Sequence, residues 1–324
     1  MKKPIVSIIM PNYNNRAYIL DAMRSVADQS FLDFECIIVD DASTDNSLDI
    51  IEKFIKTDER FRLIKLSNNV GGAEARNIGL SSTVGEYVGF LDSDDFFSPT
   101  AIESLLWAIK KYDSDVAIGD AFTVQKEVKY KKNNLRMNTD LIDAKVWTNP
   151  FDAFIDISKK PGIPWVWRRL FKYSVIKNIK FIKGMRNNHD LEFVLSSLPY
   201  TNKTVEINSI VAWHRQHETA LSSEKYMTSD AGLISSFHTN IIIGKRFDSI
   251  YPKYFMKQLQ NNLSMAFYYK KLLPAILNKK HISPHTASLI LEYWNTDIFN
   301  IKKTPLLRRW KVWFWLNLIA VSNK

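Results

Sequence analysis

Apolar runs and helical periodicities alternate along the first 120 residues. Val6-Ser-Ile-Ile-Met10 is a nearly continuous apolar run stopped by Pro11, and it reads as a buried strand. From Arg16 to Asp28 the apolar residues Ile19, Ala22, Met23 and Val26 recur at helical spacing. Phe34 to Val39 reads as a second strand. A helix begins at Asp45 or Ser47, with Leu48, Ile51 and Ile55 facing inward. Phe61 to Leu66 is the third strand, Ala73 to Leu80 a short helix, and Glu86 to Leu91 the fourth strand. Pro99 opens a helix through Lys111, and Val116 to Gly119 is the fifth strand. Strands alternating with helices across short loops predict an α/β fold, a Rossmann-like, mostly parallel sheet flanked by helices. Ligands of such sheets bind beyond the carboxyl ends of the strands. Pro11-Asn-Tyr13, Asp40-Asp41 and Asp92-Ser-Asp94 each follow a strand end, so the topology gathers them on one rim.

Beyond residue 121 the pattern loosens. Ala121 to Tyr130 alternates weakly, as an edge strand would. Phe151 to Ile157 reads as a short helix and Val205 to Trp213 as a strand. Tyr226 to Arg246, Lys253 to Leu273 and Pro284 to Trp294 are helical patterns. The expected organisation is a domain over 1–220, split into halves at about 120, followed by a helical region over 221–324.

Composition narrows the partners. The net charge of +10 favours anionic ones. Lys126, Lys129, Lys131, Lys132 and Arg136 crowd one segment; Lys302, Lys303, Arg308, Arg309 and Lys311 crowd another. Leu306 to Ala320 mixes basic residues, Trp and aliphatics at helical spacing, which suits a helix lying in an anionic membrane interface or one docked on its own domain. The single Cys36 cannot form an internal disulfide, as expected of a reducing compartment. The run Ile5 to Met10 is too short for a secretion signal. No run approaches the roughly 18 apolar residues of a spanning helix. The expected location is cytoplasmic, peripheral on the cytoplasmic face of the inner membrane.

Asp92 and Asp94, two residues apart where a strand gives way to a loop, can turn toward one site, and such hard oxygen ligands suit Mn²⁺ or Mg²⁺. Asp95 reads as a helix cap. Four segments carry a resemblance: Val6-Ser-Ile-Ile-Met-Pro-Asn-Tyr-Asn14, Ile37-Ile-Val-Asp-Asp-Ala-Ser-Thr-Asp45, Asn69-Val-Gly-Gly-Ala-Glu-Ala-Arg-Asn-Ile-Gly79 and Phe90-Leu-Asp-Ser-Asp-Asp95. In this order and spacing they resemble the inverting, nucleotide-sugar-dependent glycosyltransferases of family 2, which have the GT-A fold. The resemblance extends from residue 4 to about 220 and is densest in the first 100 residues.

The resemblance implies roles residue by residue. Pro11 and Tyr13 would line a base pocket, and Asp41 would accept a base ring N–H while Asp40 fixes its loop. Arg76 would lie near the nucleotide. Asp92 would meet the ribose or the metal shell, with Ser93 beside it, and Asp94 would ligate the metal. Asp190, in Asn188-His-Asp-Leu-Glu-Phe193, matches the base that takes the acceptor proton; His189 stands where relatives carry Glu and is a rival base. On Val211-Ala-Trp-His-Arg-Gln-His217, His214 is a candidate metal ligand, with His217 as alternative, and Arg215 a phosphate partner. Trp165 and Trp167 would stack on an acceptor sugar or pack in the core. The donor implied is a nucleotide sugar, a UDP-sugar first, and the acceptor a glycan or lipid-linked glycan of bacterial polysaccharide synthesis such as lipopolysaccharide or capsule. An inactive glycan-binding or scaffold protein on the same fold is the alternative. A sugar-nucleotide pyrophosphorylase would want a Gly-rich, Lys-containing loop in place of Pro11-Asn-Tyr-Asn-Asn15. Nucleic acid is not expected as a partner, because the strand-end carboxylates repel phosphate.

Overall fold

Four apolar runs become the parallel half of a single sheet. They are β1 (Val6–Asn12), β2 (Phe34–Asp40), β3 (Phe61–Lys65) and β4 (Tyr87–Phe90), in the order β3-β2-β1-β4. The computed structural model describes residues 3–132, 137–158, 165–185, 188–217, 223–278 and 281–292, with 312, 313, 316 and 319. Strand alternation sends side chains to two cores. Cys36 and Ile38 join Ile19, Met23, Val26 and Ile51 from α1 (Ile19–Ala27) and α2 (Ser47–Ile55). Ile37 and Val39 meet Ala75 and Ile78 of α3 (Gly72–Ser81) on the opposite face. Helices therefore cover both faces, and the buried strands need no polar side. Gly79 lets α3 approach β1 closely, since a Cβ there would lie 2.5 Å from Ile9 Cγ2.

The remaining strands are less regular. β5 (Phe96–Phe97) is followed by α4 (Ala101–Tyr112), β6 (Val116–Gln125), β7 (Ala144–Trp147) and α5 (Pro150–Ile157). A 3₁₀ turn (Val166–Arg168) leads into β8 (Arg169–Lys172), α6 (Tyr173–Ile176), α7 (His189–Ser197) and β9 (Thr204–Gln216). β8, absent from the sequence expectation, lies antiparallel between β4 and β6. The expected fifth strand thus runs parallel to β4 without touching it. The expected edge strand from Ala121 is the continuation of β6, whose register against β9 shifts around Asp120. β5 and β7 pair antiparallel with β9. Phe90, Phe171, Phe181 and Phe193 tie β4, β8 and α7 together; Phe181 and Phe193 stack with centroids 4.0 Å apart.

The chain divides into two units, Met1–Gln216 and His217–Lys324. In the second, α8 (Glu224–Met227), α9 (Asp230–Phe247), α10 (Lys253–Phe267), a π-helical turn (Tyr268–Leu272), α11 (Leu273–Leu277) and α12 (Pro284–Glu292) follow one another. Ser229 caps α9, its Oγ accepting the Gly232 N–H at 3.2 Å. Leu233, Phe237, Phe267, Leu272 and Ile290 form the core of this unit together with Val312 and Leu316. The basic residues of the C-terminal segment lie outside the described residues. Its described aliphatic positions, Val312, Leu316 and Ile319, pack inside the unit, and Trp313 is exposed. Among the described residues no helix is long and apolar enough to cross a membrane.

Candidate active site

The loops after β1, β2 and β4 and the start of α3 meet at the carboxyl end of the parallel half. Buried Asn12 donates its Nδ2–H to Asp40 Oδ1 at 2.7 Å. Asp40 also accepts from the Ser43 N–H (3.0 Å) and hydroxyl (2.7 Å), so it fixes the loop. Ala42 in this turn has a φ of +59°, left-handed backbone that a Cβ disfavours. Asp41, buried, accepts the backbone N–H groups of Val70 (2.7 Å) and Gly71 (2.8 Å), one on each oxygen. Its carboxylate thus anchors the 69–71 loop; each oxygen retains a second lone pair for a base N–H. Gly71, at φ +88°, supplies the turn into α3. Pro11 is half-buried and Tyr13 is exposed on the same rim. Ser93 is buried, its Oγ accepting Asn15 Nδ2–H at 2.7 Å.

Three carboxylates converge beside this rim. Oxygens of Asp92, Asp94 and Asp95 lie within 4.8 Å of one another. Asp95, expected as a helix cap, is a third ligand candidate. Arg76, buried on α3, donates to Asp92 Oδ1, to Gly72 O at 3.3 Å and toward His189 Nε2 at 2.9 Å. Burial pushes the Asp92 carboxyl up; the Arg76 guanidinium opposes this, but Asp190 and Asp94 add to it and the net is upward. For Arg76 burial acts against the cation, and Asp92, Asp190 and Asp94 outweigh it, raising its pKa. Asp95, 1 % exposed, is pushed up to about 7, chiefly by burial; the His214 hydrogen bond opposes this and Asp94 reinforces it.

His214 contacts the cluster through Asp95. Its Nδ1 lies 3.2 Å from Asp95 Oδ1, an arrangement that supports a ligand from behind. Expected as a ligand itself, it is not among the three residues whose donor atoms converge. Burial alone would lower its pKa, and Asp95 outweighs that and raises it. Trp165 and Trp167 stack on each other at 4.8 Å; Trp167 also stacks on the His214 ring at 5.8 Å, and Trp165 meets it tilted at 5.0 Å. Trp167 is 1 % exposed and offers no face to a sugar, so it belongs to the core; Trp165 is partly exposed. Arg215 also departs from expectation. Completely buried, it donates to Asp21 Oδ2 (3.0 Å), Val128 O (3.0 Å) and Asp94 O (3.1 Å), while its own N–H reaches Asp95 Oδ1 (2.8 Å). It holds the acidic loop from beneath, its side chain closed off from solvent. Neither Asp21 nor this use of Arg215 carries a sequence signal, because the two lie 194 residues apart.

Asp190 enters from the first turn of α7 and is buried. Its Oδ2 accepts the Val166 N–H at 3.2 Å, while Oδ1 is buried with no hydrogen-bond donor. Burial pushes this carboxyl up, but His189, Arg76 and the Val166 N–H outweigh it, and the net is downward. A cluster of hard oxygens, a buried guanidinium and a carboxylate with one unsatisfied oxygen therefore share one site. That set can hold a divalent cation and receive a proton.

Comparison with known proteins gives this arrangement a family. The profile described as Glycosyl transferase family 2 matches residues 7–177, more than half of the chain. A putative teichuronic acid biosynthesis glycosyltransferase of Bacillus subtilis, TuaG, is 49% identical over 104 residues, which are 32% of this chain and 41% of that protein. The chain thus spans about two fifths of that relative's length. The uncharacterized glycosyltransferase YibD of Escherichia coli is 26% identical over 326 residues, covering 96% of this chain and 93% of the relative. Among solved structures, Staphylococcus aureus TarS 1–349 in complex with UDP-GlcNAc superposes with a TM-score of 0.69 at 18% identity, over 99% of this chain and 89% of that one. A mannosyltransferase from Pyrobaculum calidifontis in complex with GDP-Man and Mn²⁺ gives 0.58 at 14% identity, over 100% and 89%. These likenesses carry the GT-A fold. The chain belongs to glycosyl transferase family 2.

Proposed function

We propose that this family 2 protein is a glycosyltransferase that moves a sugar from a nucleoside-diphosphate sugar, a UDP-sugar first, to a hydroxyl of a glycan or lipid-linked acceptor, with inversion, in the synthesis of a bacterial cell-surface polysaccharide. The observation that carries the reading is the convergence of Asp92, Asp94 and Asp95 beside Arg76, with Asp190 facing the same site. The all-oxygen donor set fits Mn²⁺ or Mg²⁺, which Asp94 would hold directly, with Asp92 and Asp95 beside it. Such an ion, when bound, neutralises charge on the departing diphosphate.

The chain's own residues account for the rest. Asp41 and the 69–71 loop, with Pro11 and Tyr13, form the side where a base and ribose would sit. Arg76 opposes the upward push that burial gives the Asp92 carboxyl and brings a positive charge to the diphosphate side. Asp190 takes the acceptor proton as the hydroxyl attacks from the face opposite the leaving group. Its lowered pKa suits a proton transfer that comes late, once the hydroxyl has begun to bond. Trp165 borders the acceptor side. The reported names support the pathway class: TuaG is named for teichuronic acid, and a matched Staphylococcus epidermidis protein is a teichoic acid poly(glycerol phosphate) polymerase. Attachment to an anionic inner-membrane face would rest on the basic residues at 302–311.

The test is thermal unfolding of the full chain against UDP, GDP and their sugars, with Mn²⁺, Mg²⁺ or chelator. A ligand bound by the native state alone raises the midpoint, by about 2.7 kcal/mol at one hundred times its dissociation constant. One nucleotide sugar should stabilise in a metal-dependent way, and Asp94→Ala should remove the effect. Equal shifts with and without metal, or in the variant, would reject the reading.

A further inference from the structure

One peptide unit joins two charged groups of the acceptor side. Arg169, 3 % exposed at the start of β8, donates from Nη1 to the Trp165 carbonyl at 2.6 Å. The N–H of that same peptide, on Val166, donates to Asp190 Oδ2 at 3.2 Å. The carbonyl and N–H of a trans peptide point in opposite directions, so the guanidinium and the carboxylate grip it from its two sides. A charged donor on the carbonyl polarises the peptide and strengthens the N–H bond beyond it.

The other carboxylate oxygen is left differently. Asp190 Oδ1 is buried without a donor, although His189 Nε2 lies 3.2 Å away. Arg76 explains this. The guanidinium, which can only donate, meets His189 Nε2 at 2.9 Å and so competes with Asp190 for that nitrogen. An unsatisfied buried carboxylate oxygen is costly, and a hydroxyl proton arriving there removes the cost. The neighbouring Arg168 has its own carboxylates, Asp120 and Glu206, each at 3.6 Å.

We infer that Arg169 is the positioning residue of the base: through the Trp165–Val166 peptide it holds Asp190 Oδ2 and so aims Oδ1 at the acceptor hydroxyl. This rests on Asp190 being the base. Arg169 itself touches no substrate, and its effect belongs to the chemical step rather than to donor binding.

The experiment measures nucleoside-diphosphate release by the full chain from UDP-GlcNAc, UDP-glucose, UDP-galactose and GDP-mannose with Mn²⁺, water serving as acceptor. It uses the donor turned over fastest and compares Arg169→Met, Arg169→Lys, Asp190→Asn and the Met/Asn pair. Arg169→Met should lower kcat about 10- to 100-fold, the scale of a misaimed catalytic group, with little change in donor KM. Arg169→Lys should recover part of the loss, because it restores charge but not the guanidinium geometry. In the Asp190→Asn background, Arg169→Met should cost nothing further from the residual rate. An equal loss in both backgrounds, or a change confined to KM, overturns the inference. If Arg169→Met does not fold, the Lys variant carries the same cycle. Full activity in Asp190→Asn removes the base assignment itself, and that result is read independently of Arg169.

Discussion

Replacing Arg215 by Met tests whether the acidic loop is held from beneath. The side chain is 0 % exposed and donates to Asp21, to the Asp94 carbonyl and to the Val128 carbonyl. Its guanidinium also lies 4.8 Å from the Tyr18 ring centroid and 5.3 Å from that of Phe96. Met fills much of the volume but supplies no donor. Asp21 would then be a buried carboxylate without its cation, which typically costs about 3–5 kcal/mol. Two orphaned carbonyls could each add about 1–3 kcal/mol, but water entering the vacated space would satisfy them, so about 3–5 is the expected total. For a unit of this size that is a fall in midpoint of roughly 6–20 °C. Calorimetry of the full chain should show one transition moving by that amount and a smaller Mn²⁺-induced shift, since the Asp94 backbone has lost its anchor. The Asp21→Leu/Arg215→Met pair should recover most of the stability, because an apolar pair replaces an ion pair. A single variant within about 1 kcal/mol of the parent, or a double variant no better than the single, would refute the argument.

Two further outcomes are expected. Asp95 has a folded-state pKa of about 7 against an ordinary value of 3.8, and His214 is also raised. A raised group stabilises fully below its unfolded pKa and loses that contribution as pH rises through the folded one. The metal-free chain should therefore lose stability from about pH 4 to pH 7 and beyond, Asp95→Asn should flatten this slope, and Mn²⁺ should stabilise more at the alkaline end; a flat parent profile would contradict the burial of that carboxyl. Ala42→Gly should relieve left-handed strain of about 1–2 kcal/mol at the cost of about 0.5–1 kcal/mol of chain entropy, a net gain of up to about 1.5 kcal/mol; a loss of about 1 kcal/mol in urea unfolding would show that the Ala methyl packs usefully.

The elements that the sequence made legible are those whose burial is written in their own period. β1, β2 and β4 are apolar runs, and α1 carries its inward face at Ile19, Ala22, Met23 and Val26. Because strand ends fix where the following loops go, the meeting of Asn12, Asp40, Asp41 and Asp92 could be read from order alone. β8 could not be. It is four residues long, Arg-Leu-Phe-Lys, and owes its place to partners on β4 and β6 rather than to a pattern of its own. β5, with two residues, and β7, with four, likewise depend on a partner, β9. The site divides the same way. Asp92, Asp94 and Asp190 lie in local motifs. Arg215 looked like a phosphate ligand because an arginine is priced by its charge, and only the distant Asp21 reveals it as buried. Trp167 fits a core or a sugar face equally well by sequence, since its stacking on His214 is a tertiary fact.

β9 gives the acidic loop a place in time as well as in space. It is the final strand of the first unit, and its Arg215 and His214 reach back 120 and 119 residues to Asp95. Such contacts close long loops and form after the local ones. While the chain emerges from the ribosome, β1 through β4 can pair before residue 204 exists, but the Asp92–Asp95 turn has no clamp until the strand after α7 has docked. The rim of Asn12, Asp40 and Asp41 is thus laid down first and the acidic loop completed last. A nascent or truncated chain would carry the recognisable front half of the fold with a loose acidic loop, and competence would arrive only with the completed sheet.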